Sequence, residues 1–271
     1  MTSIKFLLSE NFEELQNSLK ILQSDNRKRK SIQKNMMKSI LSKQRQSGTK
    51  TVCLYLENGN PGVHGIVASR VKDLYCSPTI LFSPKYKDKN LVVGSGRSIK
   101  NVNIKNVLDI IQKENPNIMI QYGGHIGAAG ITLKKAKFDE FSILFEKIVT
   151  QELSKHNPDI RPSLYIDGSL DFSKPVCNWI EKIGSLEPFG YEFEAPTFLN
   201  KGIILSLNFF GDNLQHAEIY LNIESSLSVK GVWFFCVDKE FQPGDSVKVI
   251  YSLPTGLREE LVIQIRGIIR V

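Results

Sequence analysis

Cysteine is scarce and unpaired. Only 4 cysteines occur among 271 residues, and Cys53, Cys76, Cys177 and Cys236 form no CxxC pair. Neither a zinc site nor a disulfide framework is indicated, and all four read as buried thiols of a reducing cytosol. Histidine is equally sparse, with 4 residues, His64, His125, His156 and His216, scattered along the chain. No stretch approaches the roughly 18–20 apolar residues of a membrane span. The run Phe6-Leu7-Leu8 after Lys5 is too short for a signal peptide. These absences lead us to expect a soluble, cytoplasmic protein with no membrane partner. A hydrophobic content of 41% excludes wholesale disorder.

The net charge of +7 is unevenly distributed. Residues 1–50 carry 11 basic and 4 acidic groups, residues 51–161 carry 15 and 10, and residues 162–271 carry 9 and 14. The first segment alone equals the whole net charge. A chain of this length holds about two domains plus an extension.

Residues 10–47 read as helix. Asn11 is a candidate cap, Glu13 and Glu14 suit the positive end of the helix dipole, and Phe12, Leu15, Leu19 and Leu22 recur at helical spacing. The apolar stripe lapses through residues 24–30 and resumes at Ile32, Met36 and Ile40. One long helix fits this pattern, as do two with a joint near Asp25. Ten basic residues and one acid lie between Lys20 and Lys50. They make either a solvated face or a surface for phosphate or an acidic partner.

Strand and helix signals alternate from residue 51 to 150. Strands are expected at 52–56, 79–82, 91–95 and 118–122, and helices at 65–74, 104–113 and 138–156, the last with Phe141, Leu144, Phe145 and Ile148 on one face. This implies an α/β layer with a partly parallel sheet. After Pro158 and Pro162 short alternating strands follow, at 164–167, 201–207, 217–223, 229–237, 246–251 and 261–269, with one helix at 175–184 and a turn at Pro243-Gly244-Asp245. A small barrel of OB type fits this texture. The expected fold is α/β overall: a long basic connector helix (1–48), an α/β domain with a mixed sheet (49–158) and an OB-like β-barrel (159–271).

Three segments suit ligand chemistry. Gly123-Gly124-His125-Ile126-Gly127-Ala128-Ala129-Gly130 follows an apolar strand, and its backbone can approach an anion closely. His125 would donate to a phosphate oxygen there, or merely cap a tight turn. Gly94-Ser95-Gly96-Arg97-Ser98 places two hydroxyls beside a guanidinium suited to phosphate, or forms an ordinary surface turn. Residues 60–70 open a helix of small residues that carries Arg70. Three such loops in one α/β unit suggest a single ligand face.

These segments carry a resemblance. Residues 60–70 (NPGVHGIVASR), 94–99 (GSGRSI), 122–133 (YGGHIGAAGITL) and 186–190 (LEPFG), in this order, resemble the C-terminal part of the RecJ-like single-strand-specific exonucleases of the DHH phosphoesterase superfamily. Residues 19–32 resemble the helix that joins the two lobes of that family. The resemblance implies a joining helix, a DHH-associated domain and an OB-like domain. In the family, divalent manganese or magnesium in a separate DHH domain activates water against a phosphodiester in DNA repair and recombination. It further implies that Ser95, Arg97, Ser98, Gly123, Gly124 and His125 hold the 5′ end and scissile phosphate of single-stranded DNA, with Arg70 near the terminal phosphate.

The departures are informative. No Asp-His-His occurs, so no metal is expected on this chain, and His125 is left with at most a substrate-orienting role. The expectation is a substrate-holding part, inactive alone, whose metals come from a separate DHH-domain chain docked on the basic helix. Gly59-Asn60 stands where the family has Trp-His, and residues 188–196 (PFGYEFEAP) replace a Gly-Asn-containing loop. The acidic balance of the barrel is opposite to that of a strand binder relying on phosphate neutralisation. Phe189, Tyr191, Phe193, Phe198, Phe209 and Phe210 are available for base stacking or for the barrel's own core, and the acidic surface would also suit a protein partner. The competing reading is a non-catalytic single-stranded-DNA-binding or regulatory subunit, or the remnant of a truncated gene.

Overall fold

The computed structural model describes residues 2–43, 48–156, 164–172, 176–190, 193–211, 214–223, 227–236, 240–254 and 261–271. Residues 44–47 of the expected helix, the prolines at 158 and 162, Pro175, Tyr191 and Val237 lie outside these. The chain divides into two compact units, Met1–Pro162 and Ser163–Val271.

The first unit opens with α1 (Thr2–Leu8), a short helix the sequence pattern did not announce, and α2 (Phe12–Leu41). Asn11 caps α2 as expected: its Oδ1 accepts from the amides of Glu13 and Glu14 at 2.9 and 3.2 Å. The helix runs through Asp25 without a joint, because residues 24–30 include no proline or glycine to break it. Its buried residues are Gln33, Met36 and Ile40, all in its C-terminal half.

A five-stranded sheet follows, comprising β1 (Val52–Tyr55), β2 (Thr79–Lys85), β3 (Asp88–Arg97), β4 (Gln121–His125) and β5 (Ala128–Lys134), in the order β1-β2-β3-β5-β4. Only β1 and β2 run parallel, joined through α3 (Pro61–Tyr75); the other pairs are antiparallel. Asn60 caps α3, with Pro61 in its first turn. On one side of the sheet Leu81 packs with Val63, Val67, Ala68 and Val71 of α3 and Met36 and Ile40 of α2. The other side packs Ile80 and Phe82 against α4 (Ile104–Glu114) and α5 (Phe138–His156). Phe141, Phe145 and Ile148 are buried there, and Leu144 packs at the margin.

Two expectations change. β3 runs on past the expected end at residue 95 to include Gly96 and Arg97, and Gly123 to His125 are a strand rather than a loop. The glycine–histidine segment is a hairpin, β4 and β5 joined at Ile126-Gly127. Glycine is depleted in strands unless something approaches closely. Here Phe82 lies where a Cβ of Gly94 would stand, and Ile104 where one of Gly96 would stand.

The second unit is a closed barrel of β6 (Phe198–Phe210), β7 (His216–Ile223), β8 (Leu227–Phe234), β9 (Ser246–Ser252) and β10 (Val262–Arg270), in the order β10-β8-β7-β6-β9. β10 pairs with β8 in parallel and with β9 antiparallel, which closes the sheet. Along β7, Ala217, Ile219, Leu221 and Ile223 are buried and the residues between them half-buried, the period-two pattern of a barrel wall. Residues 164–167 form no strand; Gly168 makes a single bridge to Phe198. Asn200, buried in β6, holds this segment: its Nδ2 donates to Leu170 O at 2.9 Å, and its Oδ1 accepts from the Tyr251 hydroxyl at 2.8 Å. Of the cysteines with described side chains, Cys236 is buried, whereas Cys53 and Cys76 are half-buried.

Candidate nucleic-acid interface

The sheet register aligns the expected site residues in rows. Arg97 pairs with Ala128, which pairs with His125; Ser95 pairs with Gly130, which pairs with Gly123. Laterally paired residues point to the same face, so Arg97, Ser95 and His125 share the face that α3 covers over β2 and β3. Beyond α3 that face is open at Gly123 and Gly130 among the described residues. A Cβ on Gly123 or Gly130 would meet nothing within 4 Å. With strands about 4.8 Å apart, the Arg97 and His125 backbones are separated by about 10 Å, across a floor of glycine and alanine.

Arg97 brings in the third segment. Its guanidinium lies where a Cβ of Gly65 would stand, and its Nη1 donates to Gly96 O at 2.7 Å. The glycine in α3 therefore admits the arginine. His125 is exposed at the end of β4, and its Nδ1 accepts from the Gly127 amide at 3.3 Å. The turn-capping alternative thus describes one ring nitrogen. It also places the proton of the neutral imidazole on Nε2, where it can donate to an oxyanion. The turn carbonyls are occupied as well, Ile126 O accepting from the Ile104 amide and Gly127 O from the Ser98 amide.

Ser98 is placed differently from Ser95. Its side chain is buried and its Oγ donates to Val102 O at 2.6 Å, bracing the turn into α4. Gly124 has φ +152°, and a Cβ there would collide with Ala128 O. It shapes the hairpin, whereas Gly123 opens the floor. Arg70 turns toward α2, where the Gln33 amide oxygen accepts from its Nη1 at 2.6 Å and its Nε at 3.0 Å. Burial, and then the neighbouring Arg29, hold its guanidinium below the usual arginine range.

Sequence reasoning missed two sets of residues. Tyr122 donates to Asp109 at 2.8 Å, and Lys105 of α4 pairs with the same carboxylate, fastening β4 to α4. The Lys105 hydrogen bond, with a smaller contribution from Tyr122, lowers the Asp109 carboxyl. An apolar tyrosine beside an i, i+4 Lys–Asp pair was the available signal. On the barrel, Phe210, His216 and Phe234 are register partners across β6, β7 and β8, with ring centroids 5.2 and 5.3 Å apart, and Phe235 lies 4.9 Å from the same imidazole. The three phenylalanines are exposed. Of the aromatics singled out from sequence, Phe189, Phe198 and Phe209 pack on the barrel core, while Phe193 and Phe210 are exposed. The signal for the rest was the run Trp233-Phe234-Phe235 ending a strand.

The donor set does not suit a divalent metal. Among the described residues no three His, Cys, Asp or Glu side chains cluster. His64 is buried in α3 with its Nε2 unpartnered, and burial lowers its pKa to about 4.

Comparisons with known proteins bear on the domains and the fold. Residues 48–151 match the DHHA1 domain family and residues 166–255 the RecJ OB domain family. The single-stranded-DNA-specific exonuclease RecJ of Haemophilus influenzae is 28% identical over 197 residues, 73% of this chain and 34% of that protein. The Escherichia coli protein of the same description is 26% identical over 254 residues, 91% of this chain and 43% of its own. The chain thus spans about a third to two fifths of the length of these relatives. The crystal structure of RecJ in complex with Mg2+ from Thermus thermophilus superposes with TM-score 0.74 at 22% identity, over 100% of this chain and 40% of that one, which establishes the common fold. The chain thus carries a DHHA1 domain followed by a RecJ OB domain and shares the fold of RecJ.

Proposed function

We propose that the chain is the substrate-holding part of a RecJ-like 5′–3′ exonuclease, binding single-stranded DNA and its 5′ phosphate. The row Arg97–Ala128–His125, with Arg97 seated against Gly65, supports this reading above all. It sets a guanidinium and an imidazole N–H at the two ends of a floor without bulky side chains, where a phosphate can accept from both. Ser95 lies on the same face. Ser98, Gly124 and Arg70 act by holding the scaffold, through Val102, Ala128 and Gln33. The exposed Phe210, Phe234 and Phe235, at the ends of the first and third barrel strands around His216 of the second, offer ring faces to bases.

Metals and the attacking water come, in this reading, from a separate DHH domain. It would dock on the projecting half of α2, where no residue from Phe12 to Ser31 is buried and Phe12, Leu19 and Ile21 are exposed among the basic residues. The purified chain should bind 5′-phosphorylated single strands and show no manganese-dependent degradation of them. Addition of a DHH domain should confer degradation. Robust degradation by the chain alone would overturn the division of labour. Arg97→Ala should weaken binding of 5′-phosphorylated strands about tenfold more than of 5′-hydroxyl strands, the worth of one charge-assisted hydrogen bond. Equal losses would reject the terminal-phosphate role.

A further inference from the structure

The strongest unassigned charge in the α/β unit lies at the other end of its sheet. The hairpin joining β2 and β3 reads Lys85-Tyr86-Lys87-Asp88-Lys89-Asn90, and all six residues are exposed. Register sets Lys85 opposite Asp88 and Leu91 opposite Lys134, so the end of β5 adjoins the hairpin. Lys135 and Lys137 follow in a single 3-10 turn, and Lys135 lies over the Tyr55 ring at 5.1 Å. Lys137 pairs with Glu140 at 2.7 Å. Among the described residues, Lys85, Lys87, Lys89, Lys134 and Lys135 make no ion pair. The acids nearby are Asp88, whose Oδ1 accepts from the Asn90 amide at 2.9 Å, and Asp139 and Glu140 at the start of α5. Tyr86, between Lys85 and Lys87 at the tip of the hairpin, is 95% exposed.

We infer that this lysine corner is a second contact for single-stranded nucleic acid, separate from the Arg97–His125 floor. Lysines that make no ion pair suit a phosphate backbone, and their charge adds to affinity without reading sequence. A fully exposed tyrosine among them offers a face to an unpaired base, which a continuous duplex does not present. The nine steps of β3 from Asp88 to Arg97 set the two contacts about 30 Å apart. A strand held at both must be several nucleotides long. The corner thereby favours long strands and leaves the shortest to the floor alone. This inference rests on the proposed nucleic-acid function and adds to it where the body of the strand lies.

The test uses the full chain and labelled strands of roughly 4 and roughly 16 nucleotides, the range of single OB-fold site sizes, each with a 5′ phosphate or a 5′ hydroxyl. Binding is measured by anisotropy over a series of salt concentrations. In Lys85→Ser/Lys87→Ser/Lys89→Ser, which alters only exposed hairpin side chains, affinity for the long strand should fall roughly tenfold, and the salt slope should flatten by about 2, at about 0.7 for each phosphate no longer neutralised. Both 5′ ends should be affected alike, and the short strand should be unaffected. Adding Lys134→Ser should flatten the slope further, and Tyr86→Ala should weaken the long strand roughly tenfold without changing the slope. Unchanged long-strand binding in the lysine variant, or a loss confined to duplex, overturns the inference while the floor stands. A long-strand loss in the lysine variant, combined with indifference of Arg97→Ala to the 5′ phosphate, supports the corner and rejects the floor. Absence of any binding by the unaltered chain rejects both.

Discussion

The guanidinium of Arg97 occupies the place where a Cβ on Gly65 would stand, so a strand end and the second turn of a helix meet without a side chain between them. This single omission joins two of the three small-residue segments.

Gly65→Ala therefore separates stability from binding. Alanine is favoured over glycine within a helix by about 1 kcal/mol, so the melting temperature should hold or rise slightly, while the displaced Arg97 loses its preference for a 5′ phosphate. The check is a thermal melt beside paired binding curves for phosphorylated and hydroxyl-ended strands. A retained preference would show that Arg97 acts elsewhere.

The hairpin glycines should respond unequally. Gly124→Ala meets both a positive φ and the Ala128 carbonyl, and a cost of about 2 kcal/mol or more in denaturant unfolding is expected. Gly123→Ala meets open space. It should cost under about 1 kcal/mol, yet weaken strand binding by raising the floor.

Acid should destabilise the α/β unit through His64. Its pKa falls from 6.5 to about 4 on burial, so the unfolded chain binds the proton more readily. Stability from this group is present at neutral pH, declines as pH falls below about 6.5, and levels off below about 4, with roughly 2 kcal/mol lost between about pH 7 and pH 5. His64→Leu should remove that part of the pH dependence, seen as a smaller difference between melting temperatures at the two pH values.

His125→Ala should leave the fold intact, because the residue is exposed and its contact is one long hydrogen bond to Gly127. Its effect should appear as slower strand degradation once a DHH domain is supplied. An unchanged rate in that reconstituted system would remove His125 from the site.

The elements with strong local signals were legible before the fold was known. Asn11 announces a helix start because a side-chain oxygen can satisfy the first free amides of a helix. Phe141, Phe145 and Ile148 mark the buried face of α5 because burial repeats with the helical period. The barrel strands show as alternation, clearest along β7. Gly96-Arg97 and residues 123–125 misled because glycine within a strand looks locally like a turn. What requires glycine at 94 and 96 within the strand is Phe82 and Ile104 arriving from elsewhere in the chain, which no local pattern contains. Phe234 and His216 were hidden for a similar reason, since their row exists only after three strands pair.

By itself the sequence determined the tandem of an α/β unit and a barrel, and the presence of three small-residue segments with Arg97 and His125 among them, since these follow from periodicity, capping and residue chemistry. Tertiary structure decided what each segment does. Strand register set Arg97, Ala128 and His125 in one row, and crowding turned Gly94 and Gly96 toward the core. Packing drew Arg70 to Gln33 and Ser98 to Val102, because a buried hydrogen-bonding group must find a partner wherever the fold provides one.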